Sequence, residues 1–233
     1  MEVRPGLGPV KDGKAMMKTI DLYDLSRSIA GEYLGAFEYP WQALAGIGEL
    51  IRELGRNLGS EYREVRPRVW IHSSAVIAPN AWLGDSCIIG AHAQVRHCAF
   101  LRGAVLVGED CVVGNSVEVK NAILFDGVQV PHFNYVGDSI LGYKAHLGAG
   151  AVTSNVKSDR TPVVVKDGEG EIRTGLAKCG AMLGDFVEVG CNSVLNPGTL
   201  VGRHSHIYPN SCVRGVVPAN SIWKTGGVVV DKR

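Results

Sequence analysis

Arg102, Lys120 and His132 are the side chains best suited to chemistry in the middle of this sequence. The two cations are eighteen residues apart, and the histidine follows the lysine by twelve residues. Two cations held side by side repel each other unless an anion such as a phosphate group lies between them. Histidine can accept a proton near neutral pH because its ordinary pKa is about 6.5. The elements that carry these residues decide whether they can act together.

Those elements follow from a repeat of six residues. A bulky apolar residue stands at every sixth position from Ile71 to Phe125. The pattern breaks near His132, resumes at Leu141 and Leu147, and returns from Leu183 to Val213. A period of six fits neither a helix nor an alternating strand, and it indicates an internal repeat.

Each hexad predicts the same local structure. The aliphatic residue is expected to point inward, a small residue to fill the corner, and glycine to allow the turn between faces. Three hexads make one triangular coil of about eighteen residues. Coils stack at the strand spacing of roughly 4.8 Å. The pattern therefore predicts an all-β solenoid, a parallel β-helix.

This architecture constrains the three candidate residues. Arg102 and Lys120 are one coil apart, so we expect them to stack roughly 5 Å from each other on one face. His132 lies two hexads after Lys120, on a different face if the period holds. A site that contains all three then requires a change of register between Phe125 and Leu141, or a residue from a second chain.

The flanking sequence predicts further elements. Residues 21–33 and the stretch from Pro40 to Gly55 have apolar residues at helical spacing, which predicts two amphipathic helices that cover one end of the repeat or a neighbouring chain. The predicted organisation is a disordered leader at 1–17, a helical segment at 18–68, the β-helix at 69–222 with an ejected loop at 156–180, and an irregular tail at 223–233.

Two connections have features of their own. Residues 60–68 read as a charged connector to the solenoid. Within the ejected loop, 161–165 and 171–174 flank a glycine-containing turn at 166–170, which predicts a β-hairpin. Loops of this length in a compact body are usually functional.

Composition excludes several classes of function. The chain has 24 basic and 23 acidic residues, which argues against an electrostatic nucleic-acid binder. It contains neither an apolar run long enough for a membrane helix nor a secretion signal, so we expect a cytoplasmic protein. The six cysteines form no C-x-x-C pair and are expected to be small buried thiols, with disulfides or a zinc site as alternatives.

Three segments carry a family resemblance. Residues 113–120, 132–138 and 147–155 resemble the acetyltransferase domain of the bifunctional glucosamine-1-phosphate acetyltransferase/N-acetylglucosamine-1-phosphate uridyltransferase, a hexapeptide-repeat transferase. The resemblance covers residues 70–222. It implies a left-handed β-helix, a homotrimer and active sites between subunits.

The resemblance also implies a reaction and a role for particular residues. Acetyl would pass from acetyl-CoA to the 2-amino group of an amino-sugar phosphate, in the biosynthesis of UDP-N-acetylglucosamine. His132 would be the general base, and Arg102 and Lys120 would hold the phosphate. The other implied substrate contacts are Tyr135, His146 and Asn155. The implied acetyl-CoA contacts are Ala149, Cys191, Pro209 and Lys224.

Departures from the family leave the acceptor open. His146 replaces an asparagine, Val156 replaces a tyrosine, and the ejected loop is longer than in the family. These changes all fall at the acceptor pocket, so two outcomes stay open: a sugar other than glucosamine 1-phosphate, or loss of acetyl transfer. The alternative function is a non-catalytic β-helix that binds a sugar nucleotide or has a regulatory role.

Two other chemistries are not expected. The sequence has no glycine-rich nucleotide loop followed by a Pro-Lys pair, so nucleotidyl transfer is not expected. His92 and His97, with His72 upstream, resemble the H-x4-H pair of hexapeptide-fold carbonic anhydrases. In that family the third histidine lies much further upstream and no other carboxylate surrounds this pair, so no metal is predicted.

Overall fold

The computed structural model describes residues 17–168 and 170–232, and the hexads wind into stacked coils with three faces. Face 1 is formed by β2 (Val69–His72), by the C-terminal halves of β4 (Trp82–Ile89), β6 (Phe100–Val107), β8 (Glu118–Leu124) and β10 (Tyr135–Leu141), and by β15 (Ala181–Leu183), β18 (Thr199–Val201) and β21 (Val216–Val217). All pairs of neighbouring strands in this face are parallel.

The other two faces are parallel ladders as well. Face 2 consists of β3 (Val76–Ile77), β5 (Gln94–Val95), β7 (Val112–Asn115), β9 (Gln129–His132), β11 (His146–Leu147), β16 (Glu188–Val189), β19 (His206–Ile207) and β22 (Ser221–Trp223). Face 3 consists of the N-terminal halves of β4, β6, β8 and β10, followed by β12 (Val152–Thr153), β17 (Val194–Leu195) and β20 (Cys212–Val213). The predicted β-solenoid is confirmed.

The interior consists of the aliphatic residues that define the hexads. Leu101, Val113, Val119 and Phe125 are fully buried. Ile71, in the first coil, is only half-buried because it lies at the end of the stack. The inward direction predicted for these positions is confirmed except at Phe125. There Leu124 takes the position that pairs with Val107, and the Phe125 ring lies 5.1 Å from the ring of Tyr23, which precedes the solenoid.

The coil length changes near the break in the pattern. Val95 pairs with Val113, eighteen residues later, but Val113 pairs with Val130, seventeen residues later. Another step of seventeen residues leads from Val130 to Leu147, where the neighbouring strand lies. The predicted change of register between Phe125 and Leu141 is therefore present, as the loss of one residue per coil.

The glycines that follow the aliphatic residues have a different role from the one expected. The left-handed backbone conformation recurs at the corners on other residues, such as Ser116 with φ 53° and Asn192 with φ 56°. A Cβ atom on Gly114 would lie 1.6 Å from the Pro131 carbonyl oxygen of the next coil. Glycine is needed there because the neighbouring backbone approaches closely, while short polar residues make the turn.

The N-terminal segment covers face 1. Its elements are α1 (Thr19–Leu22), a 3-10 turn (Leu25–Arg27), α2 (Gly31–Gly35), a 3-10 helix (Pro40–Gly46) and α3 (Ile47–Arg56). The outward side chains of Ile88, Leu106, Ile123 and Ile140 beneath it are fully buried. Burial contributes about 2 kcal/mol for each such side chain. The prediction that this segment covers one end of the repeat was wrong, because it packs along a side.

The predicted helix boundaries also need correction. The helix expected at 21–33 is broken into short turns, since the Asp24 side chain accepts a hydrogen bond from the Ser26 backbone and Gly31 packs against the Leu25 carbonyl. The second helix runs through Gly55 instead of ending there. A Cβ atom on Gly55 would lie 2.4 Å from the Trp70 ring, so this glycine serves close packing.

The ejected loop leaves and re-enters the solenoid at one point. The Cys179 backbone N–H donates to the Asn155 carbonyl at 3.0 Å and closes the loop. Within it, β13 (Val164–Asp167) pairs antiparallel with β14 (Gly170–Arg173), which confirms the hairpin. Val163 and Val165 are fully buried against the solenoid.

Both ends of the solenoid carry an antiparallel strand. β1 (Tyr62–Arg66) lies in the predicted charged connector and pairs with β2. β23 (Val229–Asp231) lies in the predicted irregular tail and pairs with β22. The prediction of an irregular tail was therefore wrong at β23. Most of the predicted leader lies outside the described residues, and Met17 at its end packs against the core.

The cysteines divide into two groups. Cys87, Cys111 and Cys179 are buried, as expected of small core residues. The exposed thiols are Cys98, Cys191 and Cys212, and for these the expectation of burial was wrong. All six are free cysteines in the part of the chain that the structure describes. Within that part, no helix has the length and apolar character needed to cross a membrane.

Candidate active site

Asp138 is the centre of a polar network at the corner between faces 3 and 1. It is only 4% exposed. Its carboxylate accepts hydrogen bonds from Lys120 Nζ at 3.2 Å and from Asn121 Nδ2 at 2.9 Å. Asn155 Nδ2 donates both to this carboxylate and to the Tyr135 hydroxyl, the latter at 3.2 Å. The structure thus brings three predicted site residues, Lys120, Tyr135 and Asn155, into one cluster.

Arg102 lies one coil away and has its own partner. Its Nη1 donates to the Glu118 carboxylate at 2.8 Å. Gly103, instead of Arg102, lies opposite Lys120, because the two-residue step from Leu101 to Gly103 faces a one-residue step from Val119 to Lys120 on the next coil. The prediction that the two cations lie directly opposite each other was therefore wrong by one residue.

The network changes the acidity of two of its members. The Glu118 carboxylate raises the pKa of the Arg102 guanidinium, first through the hydrogen bond and then through its charge. Burial raises the pKa of the Tyr135 phenol, and the hydrogen bond from Asn155 opposes that effect. Both groups are therefore held in the protonated form, so this corner presents hydrogen-bond donors.

His132 heads a column at the opposite edge of face 3. The Gly150 N–H donates to the His132 carbonyl at 3.0 Å, which places Ala149 on the next coil. Cys191 lies on the coil after Ala149, and Pro209 lies on the coil after Cys191. Equivalent backbone hydrogen bonds join each of these coils to the one before it. Three predicted acetyl-CoA contacts therefore form one line with the predicted base.

The side chain of His132 is exposed and makes no hydrogen bond to any residue that the structure describes. Lys224, the fourth predicted acetyl-CoA contact, directly follows β22 at the last coil of the column. Its backbone N–H donates to the Val228 carbonyl at 2.8 Å. A long, thin ligand could therefore lie along the column from the histidine to the lysine.

The column and the cluster occupy opposite edges of face 3. Asn115 lies opposite His132, while Lys120 lies opposite Gly137. Five residues of one coil separate these two positions, a span of up to roughly 17 Å. No hydrogen bond or ion pair among the described residues links the two groups.

His146 lies apart from both groups, on face 2. Its Nδ1 is 2.7 Å from the Glu188 carboxylate. It borders a shallow cleft with Lys144 and Gln129. Within one chain, therefore, His146 is not brought to the Tyr135 and Asn155 cluster where the family resemblance would use it.

Asp138 was missed as a site residue, although its spacing could have revealed it. It follows Lys120 by eighteen residues, as Lys120 follows Arg102. The same reasoning that places a second cation on the next coil also places this carboxylate there. The upstream histidines have local partners: His72 is bound by Ser74 and Glu61, and His97 by Asn80. The described residues contain no group of three or more metal-ligating side chains.

Stacked hexads around an aliphatic interior define a hexapeptide-repeat β-solenoid. The chain belongs to the family described as "GMPPB C-terminal domain", whose model matches residues 101–217. The model described as "Bacterial transferase hexapeptide (six repeats)" matches residues 64–97.

Curated relatives are similar along most of the chain. "Bifunctional protein GlmU" of Methanococcus maripaludis (strain S2) is 27% identical over 230 residues, which are 97% of this chain and 56% of that protein. "Bifunctional sugar-1-phosphate nucleotidylyltransferase/acetyltransferase" of Sulfurisphaera tokodaii is 30% identical over 171 residues, which are 72% of this chain and 43% of that protein. The chain therefore spans about half the length of these relatives.

Two solved structures are similar to this chain at low identity and low TM-score. The acetyltransferase domain of PglB from Neisseria gonorrhoeae is 17% identical, with a TM-score of 0.36 over 75% of this chain and 65% of that one. UDP-N-acetylglucosamine O-acyltransferase (LpxA) from Moraxella catarrhalis is 14% identical, with a TM-score of 0.40 over 70% of this chain and 72% of that one. Similarity of this size says nothing about mechanism or ligand.

Proposed function

We propose that the chain is an acetyl-CoA-dependent N-acetyltransferase that acts on an amino-sugar phosphate such as glucosamine 1-phosphate. The observation that carries the proposal is the pair of half-sites on the two edges of face 3. One edge presents cations and amides, and the other presents a histidine at the head of a column of small residues. The relative from Sulfurisphaera tokodaii, whose name includes acetyltransferase, is similar over 72% of this chain.

The ion pairs leave donors for a phosphate. Lysine has three N–H donors and arginine has five. Lys120 is held by Asp138 and Arg102 by Glu118, and each retains further N–H groups. In the proposed complex these carboxylates orient the cations, and the remaining N–H groups bind the phosphate oxygens.

The chemical step follows from the groups at the two edges. The neutral sugar amine attacks the thioester carbonyl of acetyl-CoA, a C–N bond forms, and the C–S bond then breaks. His132 accepts the proton that the nitrogen loses. Coenzyme A leaves as a thiol after it receives a proton. Ala149, Cys191 and Pro209 line the path proposed for the pantetheine arm, and Lys224 is the cation proposed for its phosphates.

The separation of the half-sites bears on assembly. Within one chain the base and the phosphate cluster lie on opposite edges of face 3. We therefore propose a left-handed, trimeric solenoid in which the column of one subunit faces the cluster of the next. Such an arrangement would also bring His146 to the acceptor. An active monomer in solution would contradict this part of the proposal.

A thiol-release assay tests the activity. Purified protein is incubated with acetyl-CoA and a panel of hexosamine 1-phosphates, and free coenzyme A is measured. His132→Ala should lower kcat by roughly 10²–10⁴-fold, the usual contribution of a general base. His97→Ala is the matched control, because His97 is an exposed histidine at the equivalent corner of the solenoid, two coils before His132. Full activity of His132→Ala would disprove the base assignment.

A second function is favoured by one observation. Both Arg102 and Lys120 have carboxylate partners within the chain, and His132 has no side-chain partner that orients it among the described residues. A non-catalytic solenoid that binds a sugar nucleotide or regulates a partner would fit this arrangement. Binding of a sugar nucleotide without turnover of acetyl-CoA by any acceptor would support this alternative.

A further inference from the structure

The ejected loop forms a cleft that none of the proposed chemistry uses. The cleft has a volume of about 420 Å³ and lies between the start of the loop, the β13–β14 hairpin and the last coils of the solenoid. The polar residues that line it include Ser154, Lys157, Lys166, Asn196 and Arg214. Val156, the position where the family has a tyrosine, is also part of its wall.

The charge of this cleft is positive. Its lining contains three basic residues and two acidic residues, which leaves one net positive charge. Lys157 is paired with Asp159 at 3.3 Å. Lys166 and Arg214 make no ion pair or side-chain hydrogen bond with any described residue, although both face the cleft. Glu171, the remaining carboxylate, lies directly opposite Lys166 in the hairpin but forms no ion pair with it within 4.0 Å. Two cations beside this one carboxylate leave a net positive charge that attracts an anion.

The hairpin that carries Lys166 is held firmly against the solenoid. A Cβ atom on Gly215 would lie 2.7 Å from the Lys166 carbonyl oxygen, and one on Gly198 would lie 2.9 Å from the Val163 side chain. Val165 is fully buried. Because the backbone on both sides of the cleft is packed in place, a ligand would not need to order the loop before binding.

The cleft continues the corner that holds the candidate acceptor cluster. Ser154 on its wall directly precedes Asn155, whose side chain reaches into that cluster. Successive pairings place Ser154, Asn196 and Arg214 on the coils above Gly137. Arg214 is four coils above Lys120, a distance of roughly 19 Å at the usual strand spacing.

We propose that this cleft is a second phosphate-binding pocket, in which Lys166 and Arg214 bind the phosphate group of a small metabolite. Arginine forms paired hydrogen bonds with phosphate oxygens, and lysine adds a compact charge. The phosphate could be a second anionic group of a long acceptor or belong to a separate molecule. The pocket itself does not depend on the proposed acetyl transfer.

Pyrophosphate is the probe for the first experiment, in which its binding to the 233-residue chain is measured by titration calorimetry at low and high salt. Lys166→Ala and Arg214→Ala should each weaken binding on the order of tenfold, as expected for one charge-assisted contact. Affinity should also fall with added salt. The matched controls are Arg173→Ala and Lys178→Ala, which remove exposed cations of the same loop outside the cleft.

The controls should bind pyrophosphate as the unsubstituted protein does. Lys166→Arg should retain most of the affinity, which separates loss of charge from misfolding. The proposal is overturned if the unsubstituted protein does not bind pyrophosphate, or if Lys166→Ala and Arg214→Ala bind it as well as the controls do.

A second experiment identifies the source of the phosphate. KM is measured for a hexosamine 1-phosphate and for a hexosamine linked to a nucleoside diphosphate. A rise in KM for the diphosphate alone in Arg214→Ala shows that the pocket binds the acceptor. An unchanged KM for both, with pyrophosphate binding lost, shows a separate ligand. If no acceptor is acetylated, the proposed acetyltransferase function is disproved. The titration with pyrophosphate still tests whether the cleft binds phosphate.

Discussion

Replacing Asp138 by asparagine tests the network at the corner between faces 3 and 1. The substitution keeps the shape of the side chain and removes its charge. Lys120 then faces a neutral amide, and the new NH2 group must point toward the amide donor of either Asn121 or Asn155. A charge-assisted hydrogen bond contributes about 1.5–3 kcal/mol, and an unsatisfied buried donor costs about 1–3 kcal/mol.

We therefore expect Asp138→Asn to lower the free energy of unfolding by about 3 kcal/mol. For a chain of this size, 1 kcal/mol corresponds to about 2–4 °C in Tm, so Tm should fall by about 6–12 °C. Urea denaturation gives the free energy directly, and an unchanged slope with denaturant shows that the loss lies in the folded state.

Asp85→Asn is the control for that experiment. Asp85 is exposed and pairs with Arg68 at 2.7 Å on the same side of the solenoid. An exposed pair contributes less than about 1 kcal/mol. Equal losses of stability in Asp138→Asn and Asp85→Asn would show that burial of Asp138 adds nothing, and the account of the network would be wrong.

Three further predictions test the packing. Gly114→Ala should abolish folding or lower stability by more than about 3 kcal/mol, while Gly59→Ala, with open space around its Cβ, should have little effect in the same denaturation assay. Ile123→Ala should cost about 2–5 kcal/mol, as in a core, because the N-terminal segment covers it. Native protein should react with a thiol reagent only at the three exposed thiols. The buried thiols should stay unreactive because burial raises the pKa of Cys87 and Cys179 to about 12. Reaction of all six cysteines without denaturant would contradict this prediction.

The solenoid could be predicted from the sequence because each hexad contains its own signal. An aliphatic residue at every sixth position is enough to specify the interior, and stacking follows from the period. The line formed by His132, Ala149, Cys191 and Pro209 does not follow from the period, because its first two spacings are 17 and 42 residues, and its members were expected only from the family resemblance. Features that repeat with the coil are therefore readable without a structure.

The covering of face 1 was not predicted, although a signal for it exists. Successive residues of a strand point to opposite sides, so two adjacent apolar residues place one of them outside. Ile88-Ile89, Leu106-Val107, Ile123-Leu124 and Ile140-Leu141 are such doublets on four successive coils of face 1. Their repetition over four coils indicates a surface that another element must cover.

The register at Arg102 and the shape of the N-terminal segment depend on tertiary contacts. A coil that loses one residue keeps its apolar pattern almost unchanged, so the shift between Arg102 and Lys120 leaves little trace in the sequence. The short helical turns are set by packing on the solenoid, as the contact between Gly31 and Leu25 shows. Helical spacing alone does not contain that information.

The antiparallel strands β1 and β23 terminate the parallel ladders at the two ends of the solenoid. A second copy stacked head to tail would have to continue the parallel ladders, but face 1 meets a reversed strand at the bottom and face 2 meets one at the top. The reversal mismatches the hydrogen-bond pattern at both junctions. Growth into a fibre along the solenoid axis is thereby disfavoured, and sideways contact through the open faces 2 and 3 is the route left for association.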